Sequence, residues 1–273
     1  MQQGMWWRSL YRLGGLAVAA GLLPAWAVAA DTAKYWTVTV GVEARVTPLW
    51  QGADDRYNTF PVPLLDVRRA GTMERFRGPR DGISIGLIDT GSFRLGPVGK
   101  IRFPRRVKDD GNLAGLGDVG WAYEVGVFAD YYFVPWLRTR AEVRQGWGAH
   151  DGLTADLMAD VIARVTPQLT LSAGPRVSFA STDATAPYFS VTPVQAAASG
   201  LPVFNARGGV RSVGAGAQAR YFWTPQWATH AFVEYERLGG DAKNSPIVAL
   251  RGSPDQWTFG AGVTYAFDMK AWW

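Results

Sequence analysis

The residues best suited to chemistry in this chain are a histidine and an aspartate that are adjacent in sequence. His150 and Asp151 lie in a predicted loop, and an exposed His-Asp pair can activate a water molecule for hydrolysis. A surface protease would also need a second acidic pair, for which Asp54-Asp55 and Asp109-Asp110 are the candidates. The glycines on both sides of His150-Asp151 instead favour a tight loop whose side chains satisfy the turn backbone. The sequence therefore favours a structural role for the pair.

Other catalytic and metal chemistry finds little support in the residue types. The chain has 2 His and 0 Cys and no His-x-x-x-His spacing, so the usual zinc ligands are lacking. The acidic pairs offer too few ligands for a calcium loop. The glycines of Leu113–Val119 lack the strand-to-helix context of a phosphate cradle. No serine is visibly paired in sequence with a histidine, although distant residues can meet in space. We expect no catalytic residue, no metal and no cofactor, and hence no enzyme.

The elements that would position these residues are β-strands in which apolar and polar side chains alternate. The last predicted strand, Gln256–Phe267, places Trp257, Phe259, Val263 and Tyr265 on one face and small or weakly polar residues on the other. Because side chains alternate across a strand, this pattern is typical of a lipid-facing strand in an outer-membrane barrel. A soluble β-sandwich is the alternative. Twelve strands are predicted in this way: Trp36–Thr47, Thr59–Asp66, Thr72–Arg77, Asp81–Ile88, Phe93–Phe103, Gly120–Asp130, Trp136–Gly146, Leu153–Val165, Leu169–Phe179, Ser212–Trp223, Trp227–Arg237 and Gln256–Phe267.

Connection lengths give the orientation, since such barrels have short periplasmic turns and long outer loops. The predicted inner turns are at Asp89, Tyr131–Pro135, Thr166 and Thr224, and the predicted outer loops are Pro48–Asn58, Pro104–Val119, Gly148–Gly152, Ala180–Val210 and Leu238–Asp255. Aromatic residues fall at both ends of the strands, as expected at two membrane interfaces. They are Tyr35, Trp36, Tyr131, Tyr132, Trp136, Tyr221, Trp223 and Trp227 at the inner ends and Trp50, Trp121, Trp147 and Trp257 at the outer ends. The fold class predicted is all-β: a closed antiparallel up-and-down transmembrane β-barrel of about 12 strands.

The inward faces of the predicted strands carry charges of both signs. This balance predicts cross-strand ion pairs that fill the lumen, rather than a selectivity ring of one sign. His230 shares the inward face near Glu234, and we expect it to pair with a carboxylate. A barrel of this size should be narrow or plugged, with Ala180–Val210 as the candidate plug or lid. The lumen charges are Glu43, Arg45, Glu124, Arg138, Arg140, Glu142, Arg144, Asp156, Asp160, Arg164, Arg176, Arg220, Glu234 and Glu236.

A basic cluster follows the predicted strand Phe93–Phe103. It comprises Arg102, Arg105, Arg106 and Lys108 and lies where the phosphates of the outer leaflet would be. It is either a solvated loop tip, partly neutralised by Asp109 and Asp110, or a contact for lipopolysaccharide.

The first 30 residues read as a signal peptide. Arg8 and Arg12 precede the apolar run Leu13–Leu23, and small residues follow up to Ala29 and Ala30, where cleavage is expected. Residues 31–273 then form the mature barrel domain. Removing two Arg and no acid lowers the net charge from +5 to +3, which argues against nucleic-acid binding.

Several loop segments together resemble the MipA/OmpV family of outer-membrane proteins. They are Pro48–Tyr57 with Pro61 and Pro63, Leu113–Val119, Arg144–Gly152, Tyr188–Val191 and Leu238–Val248, and they include Gly52, Gly115, Gly117, Asp118, His150, Gly152, Gly240, Asp241, Ser245 and Pro246. Ser190 stands where relatives usually carry Gly, and the chain continues past Phe267 to Trp273, either of which could end the assembly signal.

The resemblance implies a barrel in the bacterial outer membrane, in contact with lipid and lipopolysaccharide. The founding member of the family is named for interaction with a lytic murein transglycosylase. The expected function is therefore a scaffold that tethers murein-remodelling enzymes, a lytic transglycosylase and a murein synthase, although short inner turns leave a small surface for a partner. The alternatives are a narrow diffusion channel for small solutes and a surface adhesin that acts through the long outer loops.

Overall fold

The structure, a computed structural model, describes residues 35–71 and 74–270. The predicted signal peptide and Trp273 lie outside the described residues. The strands are β1 (Tyr35–Pro48), β2 (Tyr57–Arg69), β3 (Ile83–Ser84), β4 (Ile88–Asp89), β5 (Phe93–Arg102), β6 (Ala122–Val134), β7 (Leu137–Gly148), β8 (Leu153–Arg164), β9 (Leu169–Ala180), β10 (Gly209–Phe222), β11 (Trp227–Leu238) and β12 (Asp255–Lys270). No helix among the described residues is long and apolar enough to cross a membrane.

All strand pairs are antiparallel and form one twelve-stranded sheet with up-and-down topology. From β5 to β12 each strand pairs with the next one in the chain, and β1 pairs with both β2 and β12. The pairing of β1 with β12 runs from Tyr35↔Lys270 to Val46↔Phe259, which brings the first and last strands together. The predicted all-β, up-and-down barrel class is confirmed.

Alternation decides which side chains face the lipid and which face the lumen. On β7 the inward Arg138 is 0% exposed, whereas the outward Val143 on the same strand is 48% exposed. The outward faces of β6, β8 and β12 are likewise apolar and exposed, for example Val127, Leu157 and Phe259. Apolar side chains on one face and charges on the other are stable only if lipid surrounds the barrel and polar partners fill it.

The predicted third strand is wrong. Glu74–Arg77 has no strand conformation, and Thr72 and Met73 lie outside the described residues. The predicted fourth strand divides into β3 and β4, which both pair with β5. The connection between β2 and β3 is therefore long rather than short. It turns into the lumen because Arg80 and Asp81 find partners there.

The hydrogen-bonded path of strands has two ends, β2 and β3, and we call the junction between β2 and the β3–β5 hairpin the seam. Pro61 and Pro63 on β2 lack an N–H, which suits a strand that pairs on one side only. At the outer end of the seam the ring of Phe60 on β2 meets that of Phe103 just after β5, with 4.6 Å between centroids. Aromatic contact therefore joins the two sides there.

The outer loops fold together into a lid over the barrel mouth. The segment Ala180–Val210 supplies α1 (Thr182–Phe189) and α2 (Pro193–Ser199), and the loop after β11 supplies α3 (Gly240–Asn244) and α4 (Pro246–Arg251). A capping box of Thr192 and Gln195 starts α2, and Ser181 caps α1. The lid core is apolar and buried: Trp50, Ala53, Leu113, Leu116, Val119, Tyr188, Phe189, Val191, Leu201, Ala206, Leu238, Ala242, Ile247 and Val248. Of the two predicted roles of Ala180–Val210, the structure shows the lid.

Trp50 belongs to this lid core and not to the outer aromatic belt. It is only 5% exposed, and its Nε1 donates to Asp110 Oδ2 at 2.8 Å. Trp121, Trp147 and Trp257 do face outward near the outer strand ends. The prediction for Trp50 is wrong because the loop Pro48–Asn58 folds back over the lumen.

Candidate functional site

The centre of the lumen is a layer of buried ion pairs on the inward face of β7. Arg138 is bound by carboxylates from three places: Asp130 Oδ1 at 2.9 Å on β6, Asp160 Oδ2 at 3.3 Å on β8, and Asp81 Oδ2 at 2.7 Å in the connection before β3. Arg140 pairs with Asp130 at 3.1 Å and reaches Asp81 at 3.7 Å. A buried guanidinium is tolerated only when carboxylates surround it in this way.

A second set of ion pairs lies above this layer, toward the outer mouth. Arg144 Nε donates to Glu124 Oε2 at 2.9 Å, and Arg144 Nη2 donates to Asp156 Oδ2 at 2.5 Å. Arg144 also pairs with Glu142. Thr154 adds a hydrogen bond to Glu124 Oε2 at 3.0 Å. The predicted cross-strand network on β6, β7 and β8 is present in the structure.

A segment with no strand of its own completes the network from inside. We call Gly78–Gly82 the luminal insert. Arg80 bridges Glu234 at 3.3 Å and Glu236 at 3.0 Å on the far strand β11. The backbone N–H of Gly82 donates to Glu142 Oε1 at 3.0 Å. Arg80 and Asp81 were absent from the predicted lumen set because Arg80 fell in the connection between two predicted strands and Asp81 was read as the first residue of the next strand. The sequence did contain an indication of a loop here. Glycine and proline, which interrupt strands, flank the two charged residues in Gly78-Pro79-Arg80-Asp81-Gly82.

The remaining lumen charges fall into smaller groups at different depths. Arg176 pairs with Asp160 at 2.5 Å. Arg220 pairs with Glu74 at 2.5 Å near the inner end. Arg164 is an exception because it lies exposed at the inner rim of β8 rather than inside the lumen. It sits at the last residue of its strand, where alternation no longer decides burial.

His150 is a structural residue, and its predicted exposure is wrong. It is 3% exposed, its Nδ1 accepts from the backbone N–H of Gly152 at 3.3 Å, and its Nε2 lies 3.3 Å from Glu124 Oε1. The loop turns the ring into the lumen, while Asp151 stays at the surface. The turn-satisfying role that the sequence favoured is observed.

The acidic pairs do not form the second half of a protease site. Asp54 and Asp55 are exposed. Asp110 is buried and already bound by Trp50 and by Asn112 N at 2.9 Å. Across residues 35–71 and 74–270, no group of three or more His, Asp or Glu side chains is placed to hold a metal ion.

His230 pairs with a different carboxylate from the one nearest in sequence. Its Nε2 lies 2.8 Å from Glu43 Oε2 on β1, and Arg45 Nε donates to Glu43 Oε1 at 2.8 Å. Glu234 is instead held by Arg80. His230 therefore pairs with Glu43, which lies on β1 beyond β12, and not with Glu234, which is four residues further along β11.

The basic cluster after β5 does not form one surface patch. Arg102 faces the lumen and pairs with Glu124. Arg105 is 5% exposed and its Nη1 donates to the carbonyl of Tyr188 at 2.7 Å. Burial lowers the pKa of Arg105 to about 10. Only Arg106 and Lys108 are exposed, so the predicted four-residue contact with lipopolysaccharide is wrong for the other two.

The loop residues that carried the family resemblance build the lid. Ser245 Oγ donates to the carbonyl of Phe189 at 2.6 Å, and Pro246 begins α4. Asp118 accepts from Val107 N at 2.7 Å, and Asp241 from Arg207 N at 2.7 Å.

Two of the motif glycines show why the lid needs glycine. Gly52 and Gly115 have φ of +110° and +80°, and a Cβ at Gly115 would lie 2.6 Å from the backbone of Ala198. Gly117 and Gly240 also have positive φ, and Gly152 packs against α1. Ser190, the departure from the family pattern, accepts from Ala206 N at 2.9 Å.

A cavity of about 740 Å³ runs beside the luminal insert and is lined by β1, β2, β5, β8 to β12 and parts of the lid. Its inner wall includes Lys100, Arg211 and Tyr188, and it extends to Leu65 and Ile101 at the seam. The size is typical of a small-molecule site, for which about 300–1,000 Å³ is usual.

A lipid-facing antiparallel barrel with a charged interior and a helical lid defines the protein as an outer-membrane β-barrel. A family model described as "MltA-interacting protein MipA" matches residues 40–267, and the chain belongs to this family.

The comparison with curated proteins gave no match. Among solved structures, the chain is similar to an outer membrane channel from Pseudomonas putida F1, with a TM-score of 0.46, 12% identity and coverage of 85% of this chain and 95% of that one. It is also similar to the NanC porin, with a TM-score of 0.41, 13% identity and coverage of 84% and 98%. OmpT of Vibrio cholerae has a TM-score of 0.37, 8% identity and coverage of 85% and 97%.

Proposed function

We propose that this barrel is a non-enzymatic anchor that holds murein-remodelling enzymes, a lytic transglycosylase and a murein synthase, at the periplasmic face of the outer membrane. The observation that carries the proposal is the occupied lumen. Arg138 is 0% exposed and is held between strand carboxylates and the luminal insert, and the lid packs over the outer mouth. An anchor needs no water path, whereas a channel does. The family description, which names an interaction with MltA, supports the choice of partner.

The surface available to such a partner is the inner rim. It includes the tight turns after β6, β8 and β10 and the longer connection after β2, where Arg75 pairs with the exposed Asp89. The connection enlarges the inner surface beyond what short turns alone provide. On the outer side, the exposed Arg106 and Lys108 remain the proposed contacts for lipopolysaccharide phosphate.

The experiment is capture of purified lytic transglycosylase by the refolded barrel. One variant carries a short peptide tag between Pro225 and Gln226 at the inner rim, and the control carries the same tag between Pro202 and Val203 in the lid. All four residues are exposed. We expect the inner tag to abolish capture and the lid tag to leave it unchanged. Equal capture by both variants would contradict a periplasmic partner surface.

The alternative of a narrow diffusion channel is tested on the same preparation. The intact barrel in a planar bilayer should carry no steady current, because the lid packs over the outer mouth. A steady ion-selective current would overturn the anchor and favour the channel.

A further inference from the structure

Two hydrogen-bond donors that line the cavity have no acceptor among the described residues. Tyr188 Oη and Arg105 Nε are buried without a hydrogen-bond partner in the part of the chain that the structure describes. Tyr188 is 7% exposed and lines the cavity together with Arg105. A buried donor without a partner costs about 1–3 kcal/mol, so such a group needs a reason.

Two cations in the same wall are also incompletely paired. Lys100 Nζ lies 3.8 Å from Asp156 Oδ2, and Arg211 Nη2 lies 4.0 Å from Asp156 Oδ1. Both distances exceed hydrogen-bond range. Asp156 is already engaged, because Arg144 donates to Oδ2 at 2.5 Å and Ser178 donates to Oδ1. One carboxylate therefore serves three cations.

The backbone directs Arg211 toward the cavity. The pairing of β9 with β10 shifts register between Val210 and Ser212, which makes Arg211 the extra residue of a bulge. Arg211 and Ser212 are both buried as a result, although neighbours on a regular strand point to opposite faces. A bulge often turns a side chain toward a functional site. Here it places Arg211 in the lining of the cavity.

The other end of the cavity is apolar and reaches the lipid. Leu65 on β2 and Ile101 on β5 line the cavity and face outward, at 62% and 50% exposure. Pro61 and Pro63 line it as well. These residues flank the seam, where the hydrogen-bonded path of strands ends. The cavity is thus continuous from a cationic wall inside the lumen to the lipid-facing surface.

We propose that this cavity binds an anionic amphiphile from the membrane, a long-chain carboxylate, with its head group on Lys100, Arg211 and Tyr188 and its chain leaving through the seam. The carboxylate would accept from Tyr188 Oη and place an acceptor within hydrogen-bond range of Lys100 and Arg211, which Asp156 does not do. The chain would lie against Leu65 and Ile101 and enter the bilayer without crossing the ion-pair layer. The inference is independent of the proposed anchor function.

The test is native mass spectrometry of the full barrel in a zwitterionic detergent, with oleate as probe. Oleyl alcohol controls for the chain, and acetate and inorganic phosphate control for the charge. We expect one equivalent of oleate to bind, with each control at least about tenfold weaker because it lacks either the charged hydrogen bonds or the buried chain. Equal binding of oleate and oleyl alcohol would show nonspecific association with the barrel surface and overturn the proposal. Strong binding of acetate or phosphate would overturn the role of the chain.

Variants separate the two ends of the site. Arg211→Gln and Tyr188→Phe should each weaken oleate about tenfold, since a hydrogen bond to a charged group is lost. Tyr188→Phe removes one oxygen and no charge, so it remains informative if Arg211→Gln does not fold. Lys243→Gln, an exposed cation of the lid outside the cavity lining, is the control and should have no effect. Unchanged oleate binding in Tyr188→Phe would contradict the assigned head-group site.

At the chain end, Ile101→Trp should obstruct the seam and weaken oleate. Val125→Trp, at a lipid-facing position of β6 that does not line the cavity, should not. Equal loss in both variants would indicate a general effect on the barrel and contradict the chain path.

Discussion

Arg138 on β7 donates from Nη2 to Asp81 Oδ2 at 2.7 Å, and this ion pair joins the barrel wall to a segment that belongs to no strand. Both side chains are almost fully buried. Because Asp130 and Asp160 bind the same guanidinium, the luminal insert is part of the ion-pair layer and not a loose loop beside it.

Removing this carboxylate should destabilise the barrel. Asp81→Ala leaves Arg138 and Arg140 with less compensation in a buried site, and we expect a loss of about 3 kcal/mol in the free energy of unfolding. Urea unfolding of the barrel in lipid vesicles measures it. The control is Asp89→Ala, which breaks the more exposed pair with Arg75 and should cost less than about 1 kcal/mol. Equal losses in the two variants would contradict a specific role for the insert.

Shortening the side chains of the insert should open the lumen. Replacing Arg80 and Asp81 together by glycine removes the bridge from Glu234 and Glu236 to the β7 side, and water should hydrate the charges that remain. We expect planar bilayers to show current for this variant and none for the intact barrel. If the variant folds and stays silent, the lid rather than the insert closes the path.

His150 should matter for stability and for no reaction. His150→Ala removes the acceptor of Gly152 N and a contact of Glu124, which should lower the free energy of unfolding by about 1–3 kcal/mol. Asp151→Asn changes an exposed side chain and should stay within about 0.5 kcal/mol of the parent. A hydrolytic activity lost in both variants would contradict the structural role.

The lid should loosen when its tryptophan is removed. Trp50→Ala creates a void in the lid core and leaves Asp110 without its indole donor, at a cost of about 3–5 kcal/mol for the truncation. Protease added outside intact cells should then cleave within Ala180–Val210, whereas the intact lid and a Val194→Ala control, changed at a highly exposed position, should resist. Resistance of Trp50→Ala would show that the lid does not depend on this contact.

The two sides of the seam should be close enough to crosslink. The chain has 0 Cys, so Phe60→Cys with Phe103→Cys gives a clean pair, and the native rings are 4.6 Å apart. We expect a short bismaleimide to join them in membranes, while Phe60→Cys with Val143→Cys, on strands that are not neighbours, should stay unlinked. Failure of the first pair would place β2 away from β5.

The sequence by itself determined the long strands and their faces, but not the third and fourth predicted strands. The pattern in Trp136–Gly146 predicted that Arg138, Arg140, Glu142 and Arg144 share the inward side, and β7 shows this because alternation is a property of the local backbone. Arg102 was assigned to a surface patch, but it lies two residues from Lys100 on β5, so both side chains point to the same face of the strand. Alternation alone would therefore have placed Arg102 with Lys100 in the lumen.

Only the tertiary structure decided which charges meet. Asp81 reaches Arg138, 57 residues along the chain, and His230 reaches Glu43, 187 residues away. Such partners depend on which strands lie opposite one another across a barrel, and local alternation carries no information about that. The entry of the luminal insert, where Asp81 meets β7 and Arg80 meets β11, is likewise a response to buried charge. Its cause is the cost of leaving a charge unpaired in the lumen, which is a property of the assembled fold.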